Sequence, residues 1–269
     1  MTRVLSVATV NVNGIRAAYR RGMGEWLAKR EPDVLLLQEL RAPDETVHQL
    51  LGEGWHIAHA ASDAKGRAGV AVASRLPVTA VRIGLGDGVT DEAIDTGRWI
   101  EADVQLPAGD TVTTASLYLH SATVGTPSLA AKYAYLERVT TRMGDLASRG
   151  GFAVVAGDVN VAHRELDIRN WKGNLRSAGF LPEERGYLDR WFADGWVDVA
   201  RAQAGEVDGP YTWWSWRGKA FDNDAGWRID YQIATSDLAA RAVEAVVDRA
   251  SSYAERFSDH APLAVAYDL

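Results

Sequence analysis

Apolar residues in this chain come in short runs, and several runs end directly on polar side chains. Residues 4–10 read as a strand, and residues 14–30 as one helix closed by Glu31-Pro32, because the residue before a proline avoids helical geometry. Residues 34–37 are four apolar side chains in a row, the pattern of a buried strand. Segments 55–60, 69–74, 78–83, 98–106 and 111–119 follow as strands separated by Gly, Pro and Asp turns. The longest helix is expected over 128–149, where Leu129, Tyr133, Leu136, Val139, Met143 and Leu146 recur at helical spacing. A strand at 152–156, an irregular polar stretch, a helix at about 182–192 and strands at 227–234, 243–247 and 261–267 complete the order.

Many strands with few helices predict an α/β architecture of two sheets packed face to face with helices outside. The first and last strands both read as central, so one continuous domain over 1–269 is expected. No repeat, heptad run or linker divides the chain.

Composition narrows the chemistry. The 269 residues are 47% hydrophobic, enough for a large packed core. No cysteine is present, which excludes disulfides and thiolate zinc sites and is compatible with a reducing, cytoplasmic setting. No apolar run reaches the roughly 20 residues that cross a bilayer, and the first ten residues lack a secretory pattern, so neither membrane nor export is expected. The net charge of −7 argues against a nucleic-acid partner only on average. A local basic face decides, and Arg164, Arg169, Lys172 and Arg176 outweigh Glu165 and Asp167 in one stretch.

The polar groups at strand ends carry the chemical reading. Gly157-Asp158-Val159-Asn160 follows one apolar run, Ser258-Asp259-His260 precedes another, and Gln38-Glu39 closes a third. Strand ends in an α/β core display functional groups on a rigid frame. Glu39 could ligate a hard divalent ion, and Asn11 could add an amide oxygen. Asp158 and Asn160, two apart, point the same way if the chain stays extended, which suits water activation beside oxyanion stabilisation. His260, charged beside Asp259 or the distant Asp230, could donate to a phosphate oxygen. Each feature alone has an ordinary structural alternative: a surface charge for Glu39, an Asn-Gly turn for Asn13-Gly14, a post-strand turn for Asp158. Together they indicate a metal-dependent hydrolase.

The same residues carry a resemblance. Asn11-Val12-Asn13-Gly14-Ile15-Arg16-Ala17, Leu37-Gln38-Glu39, Gly157-Asp158-Val159-Asn160-Val161-Ala162-His163, Asp167-Ile168-Arg169-Asn170, Gly226-Trp227-Arg228-Ile229-Asp230-Tyr231 and Ser258-Asp259-His260-Ala261-Pro262 occur in order over nearly the whole chain. In these the chain resembles the exonuclease III family of DNA-repair nucleases, within the superfamily that includes DNase I. The resemblance implies a four-layer sandwich of two mixed sheets flanked by helices. It implies Mg²⁺-dependent (or Mn²⁺-dependent) cleavage of double-stranded DNA 5′ to abasic sites, with 3′→5′ exonuclease and 3′-phosphatase action at DNA ends. The sequence itself gives no sign of oligomerisation, so a monomer is expected. The resemblance assigns Glu39, Asn11 and Asp259 to the metal, Asp158 to the attacking water, Asn160 to the developing charge, and His260 with Asp230 to the phosphate. It also places Tyr118 near the phosphate. It gives Trp213 and Trp227 to an apolar pocket, and Arg16, Arg67, Ser121, Arg169, Asn174 and Ser177 to DNA contact. Two departures stand out: His120-Ser121 where many members carry Pro-Asn, and Leu40-Arg41 where a Lys usually stands second after the Glu. The competing expectations are a phosphodiesterase of the same fold acting on RNA or a small phosphoester, and a catalytically silent DNA-binding protein.

Overall fold

The structure is a computed structural model and describes residues 4–89 and 96–269. In chain order it runs β1 (Val4–Asn11), α1 (Ile15–Arg20), α2 (Met23–Arg30), β2 (Val34–Gln38), α3 (Asp44–Leu51), β3 (His56–Ala60) and β4 (Val70–Ser74). Next come β5 (Val78–Ile83), β6 (Trp99–Gln105), β7 (Thr111–Tyr118), α4 (Pro127–Ser148) and β8 (Phe152–Asp158). Helices α5 (Trp171–Asn174) and α6 (Pro182–Ala193) lead to β9 (Trp196–Asp198), α7 (Val199–Ala204), β10 (Asp230–Thr235), α8 (Ser236–Ala239), β11 (Ala242–Val247) and β12 (Leu263–Asp268).

The strands form two six-stranded mixed sheets, ordered β11-β12-β1-β2-β4-β3 and β5-β6-β7-β8-β10-β9. Central β2 is buried along its whole length, whereas edge strand β5 alternates between half-buried and exposed positions. Val7, Leu36, Val72, Ile100, Val104, Val154 and Val265 fill the space between the sheets. A second cluster packs the β5–β10 sheet under α4 and α6, through Tyr135, Leu136, Val139, Leu188 and Trp191. A third packs α1, α2 and α3 on the other sheet, through Ile15, Met23, Leu27, Val47 and Leu51. The result is the expected helix–sheet–sheet–helix layering. No helix among the described residues is long and apolar enough to cross a membrane.

Polar ties pin the two sheets together. Gln38 Nε2 of β2 donates to Ser116 Oγ of β7 at 2.9 Å. Gln232 Nε2 of β10 donates to the Val7 and Leu263 carbonyls at 2.9 and 3.0 Å. Buried amides with partners specify a single stacking register where an apolar contact would tolerate sliding.

Several segments differ from the expectations. The single helix over 14–30 is two helices, because Gly22 sits at φ 103 and turns the chain between Arg21 and Met23. The strand expected from 227 begins at Asp230, and Trp227 instead bridges to Trp213 and Ile168. Helices α3 and α7 and short β9 were not anticipated.

Gly157, next to Asp158, tolerates no side chain. Its φ is 142, and an added Cβ would lie 2.0 Å from the Leu117 carbonyl oxygen of the neighbouring strand. Gly157→Ala is expected to lower stability by about 3 kcal/mol. Thermal unfolding checks this, and an unchanged Tm would show that the strand pair can part without cost.

Candidate active site

The site lies where the ends of both sheets meet. β1 and β2 run parallel with Asn11 opposite Gln38, and Glu39 follows directly. In the second sheet Tyr118 pairs with Asp158, and Asp158 pairs with Asp230. Register alone therefore sets Tyr118, Asp158 and Asp230 in a row across three neighbouring strands. His260 precedes β12 and bridges to Trp213.

Hydrogen bonds join the two halves. Asn11 Nδ2 donates to Glu39 Oε1 and to Asp158 Oδ2, both at 2.9 Å. Asp158 Oδ1 accepts the Asn160 main-chain N–H at 2.9 Å. Asn160 Nδ2 donates to Asp158 Oδ2 at 2.9 Å and to the Leu119 carbonyl at 2.7 Å. His260 Nδ1 lies 2.8 Å from Asp230 Oδ2, and its Nε2 lies 3.8 Å from Asp158 Oδ2. Arg41 pairs with Glu39. Asp259 accepts from Asn13 Nδ2 at 2.8 Å and from Trp213 Nε1 at 3.1 Å. Asn13, Glu39, Arg41 and Asn160 all have positive φ, between 45 and 51. Such backbones cost of order 1–3 kcal/mol each and persist where the surroundings over-determine them.

Burial and crowded charge shape the titration. Burial pushes the Asp158 carboxyl up to about 8, with His260 opposing and the Asp230 and Glu39 carboxylates adding. Burial works against the charged form of His260, but Asp230 and then Asp158 outweigh it and hold the imidazole's pKa above its ordinary value. Burial, then Glu39 and Asp158, holds the Tyr118 hydroxyl well above its ordinary value, which leaves it a proton donor. Burial also opposes the Asp259 carboxylate, yet His260, Asn13 and Trp213 hold it below the usual range.

The donor set fits a hard divalent cation. Asp158 and Asp230 place carboxylate oxygens within 4.8 Å of each other and of a His260 nitrogen, and a charged His260 leaves the oxygens as the donors. Buried Asp230 Oδ1 has no hydrogen-bond partner among the described residues. Glu39 and Asp158 share the Asn11 amide, and Asp158 and Asp230 flank His260, so carboxylate oxygen dominates the donor set, as a hard divalent ion prefers.

Two expected roles meet different geometry. The Asn11 amide oxygen, anticipated as a metal ligand, accepts the Asn13 N–H at 2.9 Å, and Asn11 turns its NH₂ to the carboxylates. The Asn160 amide, anticipated as an oxyanion donor, has both hydrogens engaged by Asp158 and Leu119. The basic stretch is partly neutralised by a distant loop: Arg164 pairs with Glu206 and Arg169 with Asp208. Arg16, exposed, donates to Thr46 Oγ1 at 2.8 Å. Arg67 is exposed in the loop whose Ala68 and Gly69 carbonyls accept from Arg41 and Leu40, so it borders Glu39. Asn174 Nδ2 caps the Asn170 carbonyl, and the Ser177 N–H bonds the Asn174 carbonyl.

Beside the row lies a cavity of about 190 Å³ lined by Ser121, Ala122, Asn160, Ala178, Gly179, Trp213, Trp227 and Ile229. Trp213 and Trp227 meet edge to face, with ring centroids 6.2 Å apart. Sequence reasoning missed Asn13, Lys132, Glu184 and Arg228. For Arg228 and Asn13 the signal was present, since both stand inside the matched segments.

A buried acid–imidazole row at the shared edge of two stacked sheets can take a proton from water and donate to an anion. The chain belongs to the endonuclease/exonuclease/phosphatase family, whose pattern matches residues 8–260. An exodeoxyribonuclease of Bacillus subtilis is 31% identical over 254 residues, covering 94% of this chain and 95% of its own. The structure of an AP endonuclease from Archaeoglobus fulgidus superposes with a TM-score of 0.84 at 31% identity, over 98% of this chain and 100% of that one. A 3′ phosphatase from Neisseria bound to product DNA hairpin superposes with a TM-score of 0.86 at 27% identity, over 98% and 100% of the two chains. These likenesses make the protein a hydrolytic nuclease of DNA repair.

Proposed function

We propose that this protein is a Mg²⁺-dependent nuclease that cuts duplex DNA 5′ to abasic sites and uses the same centre as a 3′→5′ exonuclease and 3′-phosphatase. The observation that carries this reading is the apolar cavity placed directly against the acid–imidazole row. Its walls of Trp213, Trp227 and Ile229 suit the apolar face of a sugar that has lost its base. The likeness to a 3′ phosphatase from Neisseria bound to product DNA hairpin supports action at 3′ ends.

In this reading Asp158 takes a proton from water, and its raised basicity suits that task. Asn160 fixes the carboxylate through its main-chain and side-chain N–H groups, and turning one of them to the phosphate supplies a donor for the developing charge. His260, kept charged by Asp230, donates to a phosphate oxygen. Tyr118, kept protonated, donates beside it. Glu39 is the residue we assign to the divalent ion, with Asp259 nearby; the ion, when bound, neutralises phosphate charge and assists the leaving oxygen. Trp213, Trp227 and Ser121 line the sugar cavity. Arg16, Arg67, Arg169, Asn174 and Ser177 are assigned to the DNA backbone.

A duplex with one abasic analogue should be nicked internally in Mg²⁺ and spared in EDTA, and an intact duplex should escape internal nicking in both, its 3′ ends alone being open to exonuclease trimming. Equal internal nicking of the two duplexes refutes the specificity. The loop after Tyr118 gives a second expected result. His120 Nε2 lies 3.2 Å from the Ser128 carbonyl, and burial holds its imidazole down to about 4, so it is neutral and tethers the start of α4. Ser121 alone faces the cavity from this pair. The double change His120→Pro, Ser121→Asn should therefore shift exonuclease and abasic-site rates unequally; parallel changes would show that the loop does not discriminate.

A further inference from the structure

Behind the site lies an ion pair that the proposed chemistry does not use. The Lys132 ammonium on α4 and the Glu184 carboxylate on α6 are fully buried and 2.6 Å apart. Charges at that depth are costly unless every polar atom is engaged. Here the remaining atoms reach two walls of the site. Lys132 Nζ also donates to the main-chain oxygen of Asn160 at 2.8 Å. Glu184 Oε2 accepts the Gly179 N–H at 2.5 Å and the Leu181 N–H at 3.2 Å.

Both tethered backbones have positive φ, which is uncommon for an asparagine and open to a glycine. Asn160 has φ 51 and Gly179 has φ 90. Gly179 also sits in tight quarters, since an added Cβ would lie 3.1 Å from the Asn160 carbonyl oxygen and 3.1 Å from Trp227 Cζ3. Asn160, Gly179 and Trp227 all line the cavity, and Asn160 holds Asp158.

We propose that Lys132 and Glu184 are a positioning pair that fixes the Asn160 carboxamide and the apolar cavity wall in one relation, so that a baseless sugar seated against Trp227 presents its phosphate to Asp158. The inference rests on the abasic-site reading above. Its two ends act separately. The Lys132 end steadies Asn160, which serves every substrate at the centre. The Glu184–Gly179 end steadies the cavity, which matters only to a substrate with a baseless sugar.

Two variants separate the ends. Glu184→Gln keeps an oxygen for the Gly179 and Leu181 N–H groups but turns an NH₂ toward Lys132, so it disturbs only the Asn160 tether. It should lower kcat about tenfold on an abasic duplex and on a 3′-phosphate duplex alike, leaving the ratio of the two as in the parent. The double variant Lys132→Met, Glu184→Met replaces a buried pair by apolar side chains of similar length, a change that is often neutral for stability. It should lose the same kcat and, in addition, about fivefold of its preference for the abasic duplex. Circular dichroism and thermal unfolding confirm folding. A folded Gln variant with parental kcat, or a folded double variant with the parental preference, overturns the inference; if the double variant does not fold, the Gln variant decides alone. Should the parent itself cut abasic and intact duplexes equally, the abasic-site reading fails, while the 3′-phosphate arm still tests the Asn160 tether.

Discussion

Asp158→Asn should lower kcat for nicking an abasic duplex by about a thousandfold, within the usual range for loss of a general base. The substitution is nearly isosteric. Its amide oxygen can still accept from Asn160, and the strand pairing of Asp158 with Tyr118 and Asp230 is untouched. Relief of carboxylate repulsion is offset where the new NH₂ faces the Asn11 and Asn160 amide donors in place of Oδ2, so thermal unfolding accompanies the rate measurement to show that the variant folds. Binding of an abasic duplex should survive, because the cavity walls and the outer arginines remain. A variant that cuts at the parental rate would show that another group activates the water. One that fails to bind would show that Asp158 acts mainly on the substrate.

The largest stability effect is expected at Arg228. Its guanidinium is fully buried, with Nε donating to Asp167 Oδ1 at 2.7 Å and the two Nη atoms reaching Asp198 at 3.1 and 2.6 Å. Arg201 Nη2 joins the same Asp167 oxygen at 2.5 Å. The network ties the loop after β8, the β9–α7 corner and the chain entering β10, where Asp230 sits. Arg228→Met leaves two buried carboxylates short of a partner and should cost about 3–5 kcal/mol. In a chain of this size that is a fall in Tm of about 10 °C.

Acid should act on the same network. Burial opposes the Asp167 carboxylate, but Arg228 and Arg201 outweigh it and hold its pKa down to about 2. A depressed carboxyl stabilises the fold above its unfolded pKa of about 4, and that stability is lost as pH falls toward 2. Asp167→Asn should flatten the stability profile across that interval; an unaltered profile would place the acid sensitivity elsewhere.

Strands and their stacking were legible because burial writes them as apolar runs. The 34–37 and 152–156 runs are central strands, and the polar groups just beyond them form the row at the sheet edge. The break at Gly22 and the start of α3 carried local signals, a glycine and Pro43-Asp44-Glu45, but an apolar pattern outweighs them when read alone. Side-chain direction was not legible. Asn11 bonds partners 28 and 147 residues away, and which end of its amide meets them depends on the Asn13 N–H. Arg164 and Arg169 looked free because their acids lie 42 and 39 residues downstream. Nothing in the sequence marks Lys132 as buried, and only the packing of α4 against α6 places it beside Glu184.

The most direct test of the chemistry follows the solvent oxygen. An abasic duplex is cut in heavy-oxygen water by the parent protein with Mg²⁺, and both new ends are weighed by mass spectrometry. Attack by water activated at Asp158 predicts one solvent oxygen in the 5′-phosphate beside the baseless sugar and an unlabelled 3′-hydroxyl on the other fragment. An unlabelled phosphate with an unsaturated sugar remnant at the 3′ end would mean cleavage by elimination, and would contradict a hydrolytic centre built on Glu39, Asp158 and His260.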